Sequence, residues 1–224
     1  GSEQAAKQLR QAVKGTTQLD LEKDILKWMT GEFAIAAIPS DRGLLKNPGF
    51  GLVVLMQTSD RKATSSMLAK LDDLAKSSNS GVIPQGVEIK TKQLGGQPIA
   101  TWEVGPSIVA SHGFIDDKYA FWAMGDLSEL LIPQASKNLP DSSNFQTLTT
   151  ALPKNNSGYF YLNMSTAIAI ADRIISSEAK TSQGYIQART LLDAIRGIAV
   201  TNTTFDNRVT RLDFLFTLNP APGN

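Results

Sequence analysis

The sequence predicts an α+β fold in which a mainly antiparallel sheet packs against several helices. Two patterns indicate this fold. Short apolar stretches are joined by turn-forming residue pairs, and longer stretches place apolar side chains three or four positions apart. The chain has 224 residues, of which 42% are hydrophobic and 19% charged, enough for a buried core. We expect a single domain over residues 3–218 with a sub-boundary near 136–144, and a tail at 219–224.

The first part of the chain is predicted to form a helix, two strands and a second helix. Asp20 is placed to cap the first helix, and Gly31 lies where a glycine commonly follows a helix end. The stretch EFAIAAI at Glu32–Ile38 is apolar on both faces, which favours a central strand. A second strand is expected at Gly51–Thr58, and Asp60 is placed to cap the second helix.

The middle of the chain predicts an antiparallel meander of four short strands. The strands are separated by turn-forming pairs of hairpin length at Gly95-Gly96, Gly105-Pro106 and Asp116-Asp117. The expected strands are Val87–Leu94, Pro98–Val104, Ile108–Ile115 and Lys118–Met124.

The last part of the chain predicts a strand, two helices and a final hairpin. The expected ranges are Gly158–Met164 for the strand, Ser165–Ser177 and Tyr185–Arg196 for the helices, and Gly197–Phe205 with Arg208–Leu218 for the hairpin. In the last strand apolar and polar residues alternate, so we expect a buried apolar face and a wet polar face. Helix, glycine, strand, loop and strand occur in this order around both Gly31 and Gly197, which leaves open a weak internal duplication.

The composition excludes several classes of function. Lysine plus arginine (22) and aspartate plus glutamate (21) nearly cancel, and no basic cluster suited to nucleic acid is present. There is no cysteine and one histidine, so disulfides, thiolate metal sites and histidine clusters are ruled out. No stretch approaches the roughly 20 apolar residues of a membrane helix. We expect no metal, no cofactor and no nucleic-acid partner.

His112 is the one residue on which a Ser-His-acid hydrolase could be built. It lies in the middle of the strand IVASHGF, on the same face as Ala110 and Phe114. The adjacent Ser111 points to the opposite face, so the two side chains cannot pair directly. We expect His112 to be buried or half-buried and satisfied by backbone groups, which leaves a hydrolase as the alternative.

Acidic residues offer one further catalytic arrangement. Glu32 and Glu103 stand beside apolar strands, and a glycosidase needs two carboxylates that face each other across a cleft. No sequence pattern pairs them, however. Asp72 and Asp73 lie on a predicted helix, where we expect both to face solvent.

Aromatic residues are concentrated in two strands, in the runs YAFW and YFY. Consecutive aromatic residues make both faces of a strand apolar, which indicates either burial on both sides or one side left for a partner. We favour core packing and keep the second interpretation as the functional lead. The residues of this candidate surface for a protein or apolar ligand are Tyr119, Phe121, Trp122, Tyr159 and Tyr161.

The segment LDLEKDILKWMTGEFAIAAIP at Leu19–Pro39 joins an acidic, Trp-containing helix to a Gly-Glu pair and an apolar strand that ends at proline. In this combination it resembles the signature segment of DUF3352, a bacterial family of unknown function. The later order of strand, helix and meander is also similar. The resemblance implies members that are often longer, with an N-terminal membrane anchor and an extracytoplasmic portion. It implies no activity and no catalytic residues.

We therefore expect a non-enzymatic extracytoplasmic domain of the cell envelope, on the periplasmic side, that binds an unknown protein or apolar ligand or has a structural role. We interpret Gly1-Ser2 as a cloning or protease remnant. On that interpretation the chain is a fragment of a longer protein whose membrane anchor precedes residue 1. The alternatives are a carrier of a lipid or other apolar ligand and a hydrolase that uses His112.

Overall fold

A computed structural model describes residues 19–42, 49–77, 83–133, 138–206 and 209–220, together with the helical residues 4, 7, 8, 10, 11, 14 and 15. The chain divides into two compact units, Gly1–Ala135 and Ser136–Asn224. The division falls at the start of the polar connection at 136–144. Each unit combines helices with antiparallel strands, so the predicted α+β class is confirmed.

The first unit is built on a six-stranded antiparallel sheet. Its strands are β1 (Met29–Pro39), β2 (Phe50–Thr58), β3 (Glu88–Leu94), β4 (Gln97–Val104), β5 (Ser107–Ile115) and β6 (Tyr119–Met124). Its helices are α1 (Leu21–Leu26, of π type), α2 (Arg61–Ser77) and α3 (Ser128–Leu131). The strand order is β1-β2-β6-β5-β4-β3, in which the consecutive strands β3 to β6 form the predicted meander.

Both faces of the six-stranded sheet carry buried apolar side chains. On one face, Met67 of α2 packs in a cluster with Phe114 of β5. On the other face, Leu127 at the start of α3 packs with Val53 of β2 and Phe121 of β6. The alternation of side chains along each strand thus supplies two apolar layers, and each layer is covered by a helical segment.

The prediction that EFAIAAI forms a central strand is wrong. β1 lies at the edge of the six-stranded sheet and, among the described strands, pairs with β2 alone. Phe33 and Ile35 are 64% and 63% exposed. Apolar residues on both faces of a strand do not identify its neighbours, because strand pairing is decided by contacts between distant parts of the chain.

The second unit is built on a three-stranded antiparallel sheet of order β7-β8-β9. Its strands are β7 (Tyr159–Asn163), β8 (Ile195–Asp206) and β9 (Val209–Leu218). Its helices are α4 (Ser143–Thr149), α5 (Met164–Ile174), α6 (Ser177–Lys180) and α7 (Gln183–Asp193), and α4 follows a 3-10 turn at Leu139–Asp141. Each helix begins at a polar side chain that accepts a hydrogen bond from a backbone N–H of the first turn. These capping residues are Ser142, Asn163, Ser176 and Ser182.

Helix α4 covers one face of the three-stranded sheet and comes close to β8. Leu148 of α4 is fully buried against Ala199. A Cβ atom added at Gly197 would lie 2.6 Å from Leu148 Cδ1 and 2.9 Å from the carbonyl oxygen of Leu162. Glycine at this position therefore permits the close approach of helix and sheet. Gly31 is likewise the third residue of β1, so the hairpins β1-β2 and β8-β9 both carry a glycine at the third position of their first strand.

The prediction that the apolar face of the last strand is buried is wrong. The alternating apolar residues of β9 are exposed by 59%, 63%, 58% and 68%, in the order Leu212, Phe214, Phe216 and Leu218. Leu215, on the other face of β9, packs in the cluster formed with α4. The period of two identifies which residues share a face, but it does not say which face receives a covering layer.

Glu129 of α3 links two other segments of the first unit. Its carboxylate accepts hydrogen bonds from Lys92 Nζ of β3 and from Arg42 Nη1, each at 2.5 Å. Lys92 and then Arg42 hold the pKa of Glu129 at about 2, below its ordinary value of 4.5. These ion pairs join α3 to the sheet edge and to the residues that follow β1.

We expect Gly197→Ala to lower the free energy of unfolding of the second unit by about 1–3 kcal/mol, because the methyl group meets a backbone oxygen that cannot withdraw freely. Gly184→Ala is the matched control, since an added Cβ there meets no atom within 4 Å. It should raise stability by about 0.4–1 kcal/mol. Urea unfolding followed by circular dichroism measures both effects. Equal effects of the two substitutions would contradict the close-approach argument.

We expect the stabilisation supplied by Glu129 to depend on pH. Because its pKa in the folded chain lies below that in the unfolded chain, the ion pairs stabilise the fold above about pH 4.5 and lose this contribution as the pH falls toward 2. Glu129→Gln should therefore destabilise the protein at about pH 6 and have a smaller effect at about pH 2.5, with urea unfolding as the measurement. Lys92→Gln should follow the same trend. A loss that is constant with pH would show that ion pairing is not its cause.

Candidate functional site

An open cleft of about 280 Å³ lies in the first unit between α2 and strands β3 to β5. Its apolar walls include Leu68 and Phe114. Its polar side chains are Arg61, Ser65, Asp72, Thr91 and His112. The cleft contains the single histidine of the chain, so we consider it first as a site for chemistry.

The Asp72 carboxylate is shared by two ring N–H groups from the sheet. Its Oδ1 atom accepts a hydrogen bond from Trp102 Nε1 at 2.6 Å and lies 2.7 Å from His112 Nε2. Because a carboxylate oxygen accepts, Nε2 of the imidazole carries the hydrogen. His112 and Trp102 are 6% and 4% exposed. One oxygen atom of α2 therefore binds both β4 and β5.

The burial predicted for His112 is confirmed, but its partner is a carboxylate and not the backbone. The prediction that Asp72 faces solvent is wrong, whereas the side chain of the adjacent Asp73 is 80% exposed. The signal was present in the sequence. Leu68, Asp72 and Ala75 are spaced four and three residues apart, which places Asp72 on the buried stripe of α2.

Arg61 lies at the rim of the cleft and is engaged on two sides. Its guanidinium carbon is 4.1 Å from the centroid of the Phe114 ring, a cation–π geometry. The same guanidinium forms an ion pair with Asp117 in the turn between β5 and β6. These contacts attach the N-terminal end of α2 to the sheet.

The cleft brings an acid and an imidazole together but does not complete a hydrolytic triad. With Nε2 bound to Asp72, the lone pair of a neutral His112 ring is on Nδ1. Ser65 lines the cleft, but within the described ranges no hydroxyl group is hydrogen-bonded to the imidazole. Ser111 is buried on the opposite face of β5, as expected.

Glu32 and Glu103 are not brought together. They lie on β1 and β4, which are separated by four strand spacings of about 4.8 Å, or roughly 19 Å in total. Paired glycosidase carboxylates are at most about 9.5 Å apart. Glu103 instead binds Lys90 Nζ at 2.6 Å, and this hydrogen bond lowers its pKa. Across the described part of the chain, no three His, Asp or Glu side chains converge as a metal site requires.

The aromatic candidates of the first unit lie in or against its core. Phe121 is fully buried. Trp122 is half-buried and meets Trp102 edge to face, with ring centroids 6.1 Å apart. Tyr119 is half-buried, and its hydroxyl donates to Glu32 at 3.4 Å. Phe121 is therefore a core residue, as the core-packing interpretation predicts. Tyr119 and Trp122 pack against the core and remain partly exposed.

The aromatic candidates of the second unit pack beside α4. Tyr159 is 40% exposed and Tyr161 is half-buried. Both meet the Phe145 ring edge to face, at centroid distances of 6.0 and 5.2 Å. The residue between them, Phe160, points to the other face of β7 and is 59% exposed. Phe160 was not among the residues of the predicted surface, which on this strand were the two tyrosines alone.

Phe160 belongs to a continuous apolar surface on the second unit, which we call the open face. The strand register places Phe160 beside Val200, and Val200 beside Phe214. Five of the eight members are 58–68% exposed, and none carries a charge. The open face consists of Phe160, Leu162, Ile198, Val200, Leu212, Phe214, Phe216 and Leu218.

A family model described as a protein of unknown function, DUF3352, matches residues 2–218. The chain belongs to the DUF3352 family. The match extends across both units and confirms the resemblance carried by Leu19–Pro39. No curated protein and no solved structure matches this DUF3352 chain. In its described residues, no helix combines the length and apolar character needed to cross a membrane.

We expect Asp72→Ala to lower the free energy of unfolding of the first unit by about 1–3 kcal/mol, because two buried ring N–H groups lose their acceptor. Asp73→Ala is the matched control and should change stability by less than about 0.5 kcal/mol. Urea unfolding followed by tryptophan fluorescence measures both, since Trp102 is one of the two donors. Equal stability of the two variants would show that the shared carboxylate does not hold α2 on the sheet.

Proposed function

We propose that this DUF3352 chain is a non-enzymatic recognition module of the bacterial cell envelope and that it binds another polypeptide through the open face. The observation that carries the proposal is the 58–68% exposure of five large apolar side chains on one face of a sheet. Surfaces of this kind on soluble domains mark sites of interaction.

The size of the open face favours a macromolecular partner. At the ~200 Å² that an aromatic side chain can bury, Phe160, Phe214 and Phe216 leave roughly 360 Å² of apolar surface in solvent. The smaller Leu212 and Leu218 bring the total to roughly 500–600 Å². This value is at the upper end of the ~300–600 Å² found for the largest apolar patch on a typical monomer. At about 25 cal/mol per Å², covering it would gain roughly 15 kcal/mol before the costs of association.

The shape of the surface favours a polypeptide over a small apolar ligand. Lipid-sized ligands bind in concave sites that enclose most of their surface. The open face is the side of a sheet, and β9, which carries four of its eight residues, is an edge strand of ten residues that pairs with β8. An edge strand offers backbone N–H and C=O groups, which a polypeptide can use and a lipid cannot. The carrier alternative is therefore less well supported.

The hydrolase alternative has one observation in its favour, since His112 and Ser65 line the same cleft. In such a triad the second imidazole nitrogen takes the proton of the nucleophile, and among the described residues no hydroxyl group is hydrogen-bonded to His112. The Asp72 oxygen that binds His112 also accepts from Trp102, so the acid ties two strands to α2. We assign this group to folding, and the proposed function uses no residue of the cleft.

The extracytoplasmic location is part of the proposal. It is supported by the resemblance to anchored, extracytoplasmic DUF3352 members and by a sequence without cysteine, which cannot form incorrect disulfides in an oxidising compartment. In this proposal the chain is part of a longer protein that is anchored in the membrane and exposes the open face on the periplasmic side.

The test is photo-crosslinking of the full-length protein in its own cells. Benzoylphenylalanine replaces Phe214 of the open face or, as the control, Leu191 of α7, which is 71% exposed outside that face. We expect a covalent adduct with a polypeptide from position 214 and a much weaker one from position 191. Adducts with lipid alone would favour the carrier alternative, and the absence of any adduct from position 214 would overturn the proposal.

A further inference from the structure

We propose that the polypeptide bound at the open face is a second copy of the same chain, with the two three-stranded sheets packed face to face. This inference rests on the proposed function and names its partner. Three properties of the second unit carry it: the chemistry of the open face, its area, and the position of α4.

The chemistry of the open face requires an apolar partner. None of its eight residues is charged, and the register continues the surface with the neutral residues Asn202, Thr204 and Thr210. A partner that placed charged groups against this surface would lose their hydration without gaining a counter-charge. The open face of a second copy is apolar at the matching positions, so the two faces can pack without burying an unpaired charge.

The area is sufficient for a specific complex. Roughly 500–600 Å² of apolar side-chain surface on each copy corresponds to about 1,000–1,200 Å² for the pair, which reaches the ~1,000 Å² that a specific interface requires. Phe160, Phe214 and Phe216 supply aromatic anchors of the kind that dominate such interfaces.

The position of α4 leaves the open face available for this packing. Leu148 of α4 packs with Ala199 and Leu215, which lie on the other face of the sheet. Two sheets pack about 10 Å apart with their strands inclined by about 30°, and a twofold axis between identical sheets satisfies both conditions. In the dimer each three-stranded sheet has α4 on one side and the partner sheet on the other. This repeats the two covered faces of the six-stranded sheet.

The oligomeric state of the purified chain is the first test. Sedimentation velocity and native mass spectrometry should show a concentration-dependent dimer. The double substitution Phe214→Ser/Phe216→Ser should raise its dissociation constant at least about tenfold. Ile186→Ser/Leu191→Ser is the matched control, because these two residues of α7 are 54% and 71% exposed outside the open face. Circular dichroism checks that each variant is folded.

The absence of cysteine allows a second test that measures the proximity of the two open faces instead of the affinity of the dimer. Phe214→Cys introduces a single thiol into each copy, and a bismaleimide with a reach of about 10 Å, the spacing of packed sheets, should link two copies covalently. Leu191→Cys should give little covalent dimer under the same conditions. Equal cross-linking at the two positions would overturn the face-to-face arrangement.

The failure of this inference differs from the failure of the proposed function. A chain that stays monomeric, or a dimer that survives Phe214→Ser/Phe216→Ser, overturns the second copy as the partner. If photo-crosslinking at position 214 in cells still yields a polypeptide adduct of another mass, the proposed function stands without it. If the monomer instead binds phosphatidylglycerol vesicles through the open face and gives no polypeptide adduct, both are overturned.

Discussion

Both sheets carry apolar side chains on their two faces, and the rest of the structure depends on which of these faces is covered. In the six-stranded sheet, α2 covers one face and the segment around Leu127 covers the other. In the three-stranded sheet, α4 covers one face, and five of the eight residues of the open face are 58–68% exposed. The same alternation of residues therefore builds two covered apolar layers in the first unit and one covered and one exposed apolar layer in the second.

Helix α2 is held on the six-stranded sheet by polar contacts as well as by apolar packing. Asp72 supplies the acceptor for Trp102 and His112, and Arg61 contacts Phe114 at the other end of the cleft. The single imidazole of the chain thus donates a buried hydrogen bond within the fold. This arrangement connects the composition, which is poor in reactive groups, with a proposed role in recognition and not in turnover.

Local patterns predicted the parts of the fold that depend on neighbouring residues. The three turn-forming pairs of the meander predicted four strands to within one residue of their observed ends, because a short turn defines its own hairpin. The edge position of β1 and the exposed face of β9 were missed, since both depend on distant segments. The burial of Asp72 was predictable from the sequence, because its spacing from Leu68 and Ala75 places it on the buried side of α2.

The edge position of β1 has a consequence for the behaviour of the isolated protein. Natural edge strands are protected by lysine, proline or short length, yet β1 has eleven residues, one charged side chain at Glu32 and a proline only at its end. The run FAIAAI combines high apolar content with no charge, as amyloid-forming segments do. We therefore expect the isolated protein to aggregate into fibrils at high concentration. In that process the edge strand β1 would be the segment from which the fibrils grow.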